Sequence, residues 1–354
     1  MKISKSKCNE EIIKIAYFFM AIDVIIGNLG IFKIVEKLGG YISCIILLIG
    51  LMLKFNRREI KKFIIECLLL LLAGISYIFS GNAMIVEWLL FIFVSEDILE
   101  KEKMLKYTCI VKMLILIVAV VLYFAGITES VVYYRDGKER RTLGFASPNT
   151  LGIIIFSIMV DYIYLRRNKI NWRDYLGIVL IGLLIMKFTN SRSIFISSSL
   201  LVLMIIFYKL TERKNIKFKI DYLMPILTIA SFICMLLYIQ NNPIIIKINE
   251  IISNRIYIAS EYYKTYSIKF WGNKIKKYEY WIGYDQTIDN VYLNLIIIHG
   301  ILMTIIVNII GVIKLKRVRK KNNKLEYYII IIFLLYGLME QNAISIVYNC
   351  YWLL

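Results

Sequence analysis

Between positions 114 and 125 the chain reads LILIVAVVLYFA, and between 67 and 73 it reads CLLLLLA. A helix through either run has no polar face to turn toward water, so lipid or other helices must solvate it. Such runs recur throughout the 354 residues. The chain is 59% hydrophobic with a mean hydropathy of +0.68, where soluble domains are roughly 45–50% apolar. The expected fold class is all-α: a polytopic transmembrane helix bundle forming one integral membrane domain over residues 1–354.

Apolar spans fall near 12–34, 38–53, 63–79, 83–98, 104–125, 147–165, 175–189, 191–208, 222–239, 290–313 and 326–339, with a last piece, 343–354, read as a short span or a re-entrant end. At about 20 residues per crossing this makes about 11–12 spans. Lys2, Lys5 and Lys7 precede the first span and no small-residue cleavage site follows it, which reads as an uncleaved signal-anchor. With a cytoplasmic N-terminus every second loop should be basic. The loops at 54–62, 166–173, 209–219 and 314–324 are strongly cationic, and 96–106 still carries Lys101, Lys103 and Lys106.

One long stretch, 240–289, is too polar and too cationic to sit in lipid. The loop alternation places it outside, as a large extracytoplasmic loop containing short helices, inserted between the ninth and tenth spans. A net charge of +19 would suit a nucleic-acid partner, but most Lys and Arg sit in short clusters between spans, so none is expected. The six cysteines are scattered singly with no paired spacing, which supports neither a disulfide framework nor a zinc site.

Cations on the outer side break the charge rule and need a reason. Arg135, Lys138, Arg140 and Arg141 precede GFASPNTLG, where Ser147 reads as a helix cap and Pro148 as the first helical residue. In TNSRSIF, Ser191 can cap the following helix and so places Arg192 in its first turn. A cation there faces the positive end of the helix dipole, which suits a shared anion better than an isolated arginine. Asn254 and Arg255 stand inside the insert, ahead of an aromatic-rich run that reads equally as an interfacial belt or as sugar-stacking faces. In GYDQTIDNVYLN, Asp285 and Asp289 are four apart; Asp289 reads as a helix cap or as a carboxylate that deprotonates a hydroxyl. His299 is the only histidine and lies inside a span, where a packed core role is expected. Asp23, Glu87, Glu340 and Lys112 read as interhelical pairs or a polar path.

Arg141 with Gly144-Phe145-Ala146-Ser147-Pro148-Asn149, Thr189-Asn190-Ser191-Arg192, Asn254-Arg255 and Asp289-Asn290-Val291-Tyr292-Leu293 together resemble the O-antigen polymerase and ligase superfamily, specifically the Wzy-type polysaccharide polymerases of bacterial capsules. The resemblance covers the C-terminal two-thirds of the chain. Related ligases carry a histidine where this sequence has Asp289, a departure that favours polymerase over ligase and leaves the catalytic base open.

The resemblance implies a glycosyltransferase that polymerises undecaprenyl-pyrophosphate-linked repeat units at the outer face of the bacterial cytoplasmic membrane. A ligase-like transferase and a lipid-linked oligosaccharide flippase are the alternatives. Asp289, Arg192 and Arg255 are the expected catalytic residues. Arg135, Arg140, Arg141, Asn149, Ser191, Asp285, Asn290 and Tyr292 are the expected substrate contacts. Neither a metal nor another cofactor is expected. The implied partners are the lipid-linked repeat units, the bilayer, a chain-length regulator and a flippase.

Overall fold

The apolar runs fold as helices in the computed structural model, which describes residues 2–29, 38–54, 59–96, 100–128, 132–135, 138–145, 147–214, 219–275, 279–280, 284–285 and 287–354. The helices are α1 (Lys2–Ile26), α2 (Leu38–Lys54), α3 (Ile60–Ser80), α4 (Met84–Ser95), α5 (Lys101–Phe124), α6 (Pro148–Leu165), α7 (Trp172–Thr189), α8 (Arg192–Lys214), α9 (Leu223–Ile239), α10 (Pro243–Ile251), α11 (Arg255–Tyr266), α12 (Val291–Asn294), α13 (Gly300–Lys320) and α14 (Lys324–Tyr336). Two small antiparallel hairpins pair β1 (Val132–Arg135) with β2 (Lys138–Arg141), and β3 (Glu279–Tyr280) with β4 (Tyr284–Asp285).

Among the described residues, five helical segments are long and apolar enough to cross a membrane: Ile60–Ser80, Lys101–Phe124, Pro148–Leu165, Arg192–Thr211 and Val291–Lys320. A bent pair, α9 with α10, brings the number to six if counted as one span, and α2 and α4 are shorter apolar helices. Ile64, Leu68, Leu71 and Ile78 on α3 are exposed, as are Leu114, Ile117, Val121 and Phe124 on α5. Surfaces of that kind are stable in lipid and not in water. The chain is a helical membrane protein.

Two compact units make up the chain. The first comprises residues 1–63, 90–215 and 345–354. Within it α1 packs on α2 and α5, α5 on α6, and α7 and α6 on α8. Gly39 lets α2 approach α1, since a Cβ there would stand 2.8 Å from Asp23 Cβ. Lys112 of α5 and Asp161 of α6 form an ion pair with both side chains fully buried. Lys112 is thus one half of an interhelical pair, as the sequence suggested. The apolar C-terminal piece forms no span helix. It folds as short 3-10 turns, and within this unit Tyr17 donates its hydroxyl to Val347 O at 2.8 Å while Tyr351 stacks edge-on against Tyr164.

The second unit comprises residues 64–89 and 216–344. Asn242 caps α10 and Pro243 occupies its first turn, and here the chain bends by 115° out of α9. The polar stretch after α9 is therefore partly helical. Ile245, Ile256 and Ala259 from α10 and α11 join Met235, Ile288, Leu293 and Ile297 in one apolar core. Ile244, Ile248 and Ile251 remain exposed along one face of α10.

The span expected over 290–313 is longer and is broken. After α12 a π-helical turn, Leu295–His299, ends at Gly300 with φ +85°, and α13 then runs to Lys320. Residues 269–273 satisfy the freed backbone groups: Ile301 N–H donates to Lys269 O, Leu302 N–H to Phe270 O, and Asn273 N–H to Ile298 O. Asn273 Nδ2 adds a bond to Ile297 O at 2.9 Å. Non-helical backbone at membrane depth is tolerated only when protein supplies the partners, as it does here.

Candidate functional site

In the first unit, two of the sequence clusters meet in one hydrogen-bond network. Ser147 caps α6 by accepting from Asn149 N–H, with Pro148 at the first helical position. Asn190 closes α7 in the left-handed conformation (φ +46°), a position asparagine tolerates well, and α8 starts two residues later at Arg192. These two helix ends bring Asn149 and Ser191 together: Ser191 Oγ donates to Asn149 Oδ1 at 3.0 Å and lies 2.9 Å from Ser193 Oγ.

Arg140 enters the network from β2. Its Nε donates to Thr189 O at 3.1 Å and its Nη2 to Asn149 Oδ1 at 3.3 Å. Arg141 belongs to the opposite face of the same strand, because successive strand residues alternate; it is exposed and lies 3.4 Å from Glu139. Arg140 and Arg141 therefore do not act as one group, and the side chains of Arg135 and Lys138 lie outside the described residues. Arg135 is the last residue of β1, paired in register with Lys138, and Ala146 lies outside the described residues. Arg192 is exposed at the first turn of α8. The network thus holds a guanidinium beside the starts of two helices, both of which favour an anion.

The second unit holds the other cluster. Asn254 takes the left-handed conformation (φ +61°) and places Arg255 at the first position of α11. Asn249, five residues upstream, caps that helix from a distance by accepting from Ile256 N–H and Tyr257 N–H, both at 3.0 Å. Arg255 is nearly buried and its Nε donates to Asp289 Oδ2 at 3.0 Å. Thr287 Oγ1 donates to the other oxygen, Asp289 Oδ1, at 3.1 Å.

Asn290, not Asp289, is the helix cap: its Oδ1 accepts from Tyr292 N–H and Leu293 N–H, and its Nδ2 donates to Ser231 Oγ. With the cap supplied by its neighbour, Asp289 is released for the ion pair. Tyr292 is fully buried and its hydroxyl donates to Leu334 O at 2.6 Å, which ties it into the packing of the unit. Asp285 stands in β4 opposite Glu279. His299 is fully buried, neither ring nitrogen having a hydrogen-bond partner, which matches the packed role expected of it.

Glu340 is the residue that sequence reasoning left out of the site. It is buried, its Oε2 has no hydrogen-bond partner, and Asn342 reaches its Oε1 only at 3.4 Å. Burial and the negative charge of Asp289 push its carboxyl up to about 8, against the opposing pull of Arg255. The turn that carries it is fixed by Asn294 Nδ2, which donates to Gln341 Oε1 at 2.8 Å, and by Val291 N–H on Gly337 O. Its signal in the sequence is an acid directly after an apolar run with no cation nearby in the chain, which demands a partner from elsewhere.

The cluster is therefore two carboxyl groups around one guanidinium. Two like charges at close quarters keep one of the pair protonated, and the more buried one takes the proton. Among the described residues no group of three His, Cys, Asp or Glu side chains is placed to hold a metal ion. Comparisons with known protein families, with characterised proteins and with solved structures returned no match.

Proposed function

We propose that the chain is a polysaccharide polymerase of the bacterial cytoplasmic membrane, spanning it about 11–12 times and transferring a growing glycan from one lipid pyrophosphate to the sugar of another. The active face is outward in this reading, and 240–289 belongs to it. The observation that carries the reading is the Arg255–Asp289 pair with Glu340 beside it, on two of the motifs that resemble Wzy-type polymerases.

In the transfer, a hydroxyl oxygen of the acceptor sugar attacks the anomeric carbon of the donor chain. The bond from that carbon to pyrophosphate breaks, and its electron pair leaves with the lipid pyrophosphate. Asp289 takes the hydroxyl proton. A guanidinium has five donors and Asp289 occupies one, so Arg255 still offers fixed donors to the charge that builds on the leaving group. Glu340 is neutral at pH 7, which leaves the positive charge of Arg255 to be shared by Asp289 and the pyrophosphate alone. Arg140, Asn149, Ser191 and Arg192 form a separate candidate anion-binding cluster within the first unit.

Surface polysaccharide from cells carrying single substitutions tests the reading. Losing one preorganised donor costs roughly 10²–10³ in rate, so Arg255→Ala and Arg192→Ala should each reduce the product to single repeat units. Long chains at normal expression of either variant would remove that residue from the mechanism.

A further inference from the structure

Within the second unit, α9 and α13 leave a cavity of about 610 Å³ open along their length. Its wall is aliphatic, with Ile229 of α9 facing Ile305 and Ile309 of α13. The polar side chains along it are already satisfied. Thr228 Oγ1 donates to Asn308 Oδ1 at 3.0 Å, Asn308 Nδ2 to Thr304 O at 2.8 Å, and Thr304 Oγ1 to Gly300 O at 2.8 Å. An occupant of this groove is asked for apolar surface and for no hydrogen bond.

The end of the groove is different. Lys316 Nζ stands 2.9 Å from Tyr222 Oη and 4.6 Å from the centroid of the same ring. Tyr222 positions the ammonium without neutralising it. The field of Asp221 reaches Lys316, and Asp221 is held by Arg319 through Nε–Oδ1 at 2.9 Å and Nη2–Oδ2 at 2.8 Å. Arg319 holds its carboxyl below the usual range. A positive charge thus remains at the mouth of an apolar groove, on a helix end that also carries Arg317 and Lys320.

We propose that this groove binds one anionic phospholipid, its acyl chain along Ile229, Ile305 and Ile309 and its phosphate on Lys316. From residue 301 to 316 the groove runs about 22 Å at 1.5 Å per residue, and one leaflet of hydrocarbon is about 15 Å deep, so a whole acyl chain fits. A zwitterionic headgroup brings its own cation to the phosphate and gains little from Lys316; an anionic one gains about fivefold from one such charge.

The full chain, extracted from vesicles of equal phosphatidylglycerol and phosphatidylcholine with matched acyl chains, is examined by native mass spectrometry. The proposal expects one retained phosphatidylglycerol at about fivefold over phosphatidylcholine. Lys316→Met should bring that ratio close to one while Lys316→Arg keeps it, which separates loss of charge from misfolding. Ile305→Trp, at an exposed position of the wall, should abolish retention of both lipids, and excess glycerol 3-phosphate should displace neither. Equal retention of the two lipids by the unaltered chain, an unchanged ratio in Lys316→Met, or displacement by glycerol 3-phosphate would overturn the proposal.

Discussion

Glu340 has a carboxyl that ionises near 4.5 in the unfolded chain and near 8 in the folded one. Below pH 4.5 it is protonated in both states and its contribution to stability is fully present. From 4.5 to 8 the unfolded chain releases this proton and the folded chain keeps it, so stability falls as pH rises, by on the order of a few kcal/mol in total. Glu340→Gln removes that ionisation. Melting curves in detergent between pH 5 and 8.5 should show a smaller decline for the variant; parallel declines would contradict the burial assigned to Glu340. Under the proposed polymerase function the same charge has a second consequence: above pH 8 an ionised Glu340 competes for Arg255, so an alkaline loss of product should flatten in Glu340→Gln. Asn290 offers a separate test, since Asn290→Ala deletes two capping bonds and should cost about 1 kcal/mol, read as a lower unfolding midpoint. The sequence singled out Asn254-Arg255 and Asp289-Asn290 but not the division of labour within each pair. Which of two adjacent residues caps and which reaches a partner depends on backbone angles and on a distant acid such as Glu340, and neither leaves a local mark.

Helix was legible wherever an apolar run was long, because lipid removes every alternative that leaves backbone groups unpaired. Breaks in helix were not. In LIIIHGILM nothing marks Gly300 as the end of one segment, since a glycine in an apolar run is compatible with continuous helix. What ends the segment is tertiary: residues 269–273 supply the carbonyls and amides that the break requires. A Cβ at Gly300 would stand 2.6 Å from Phe270 O, at a φ that disfavours any side chain. Gly300→Ala should therefore destabilise the chain by about 1–3 kcal/mol, measured by thermal unfolding in detergent, whereas a shift within error would mean that the break is soft. The β1–β2 hairpin escaped for a different reason. Its strands are only four residues each, so the Asp136-Gly137 pair between them, a two-residue turn signal in the sequence, has no long alternating strands to support it. Strand alternation then decides that Arg140 reaches Asn149 while Arg141 lies beside Glu139.

Loop charge makes a claim about the whole molecule that cysteine labelling can check. In a cysteine-free background, a single cysteine at 264 should react with an impermeant maleimide on intact cells, and one at 321 only after permeabilisation; the reverse pattern would invert the orientation and move the Arg255–Asp289 pair to the wrong side for an outer-face polymerase. The most direct measurement is made with the purified chain and lipid-pyrophosphate-linked repeat units in detergent, with no other protein present. A ladder of products differing by one repeat unit, lost in Asp289→Asn and Arg255→Ala, is the predicted result. Repeat units that stay single with the unaltered chain, or that move once to a different acceptor without a ladder, would contradict it.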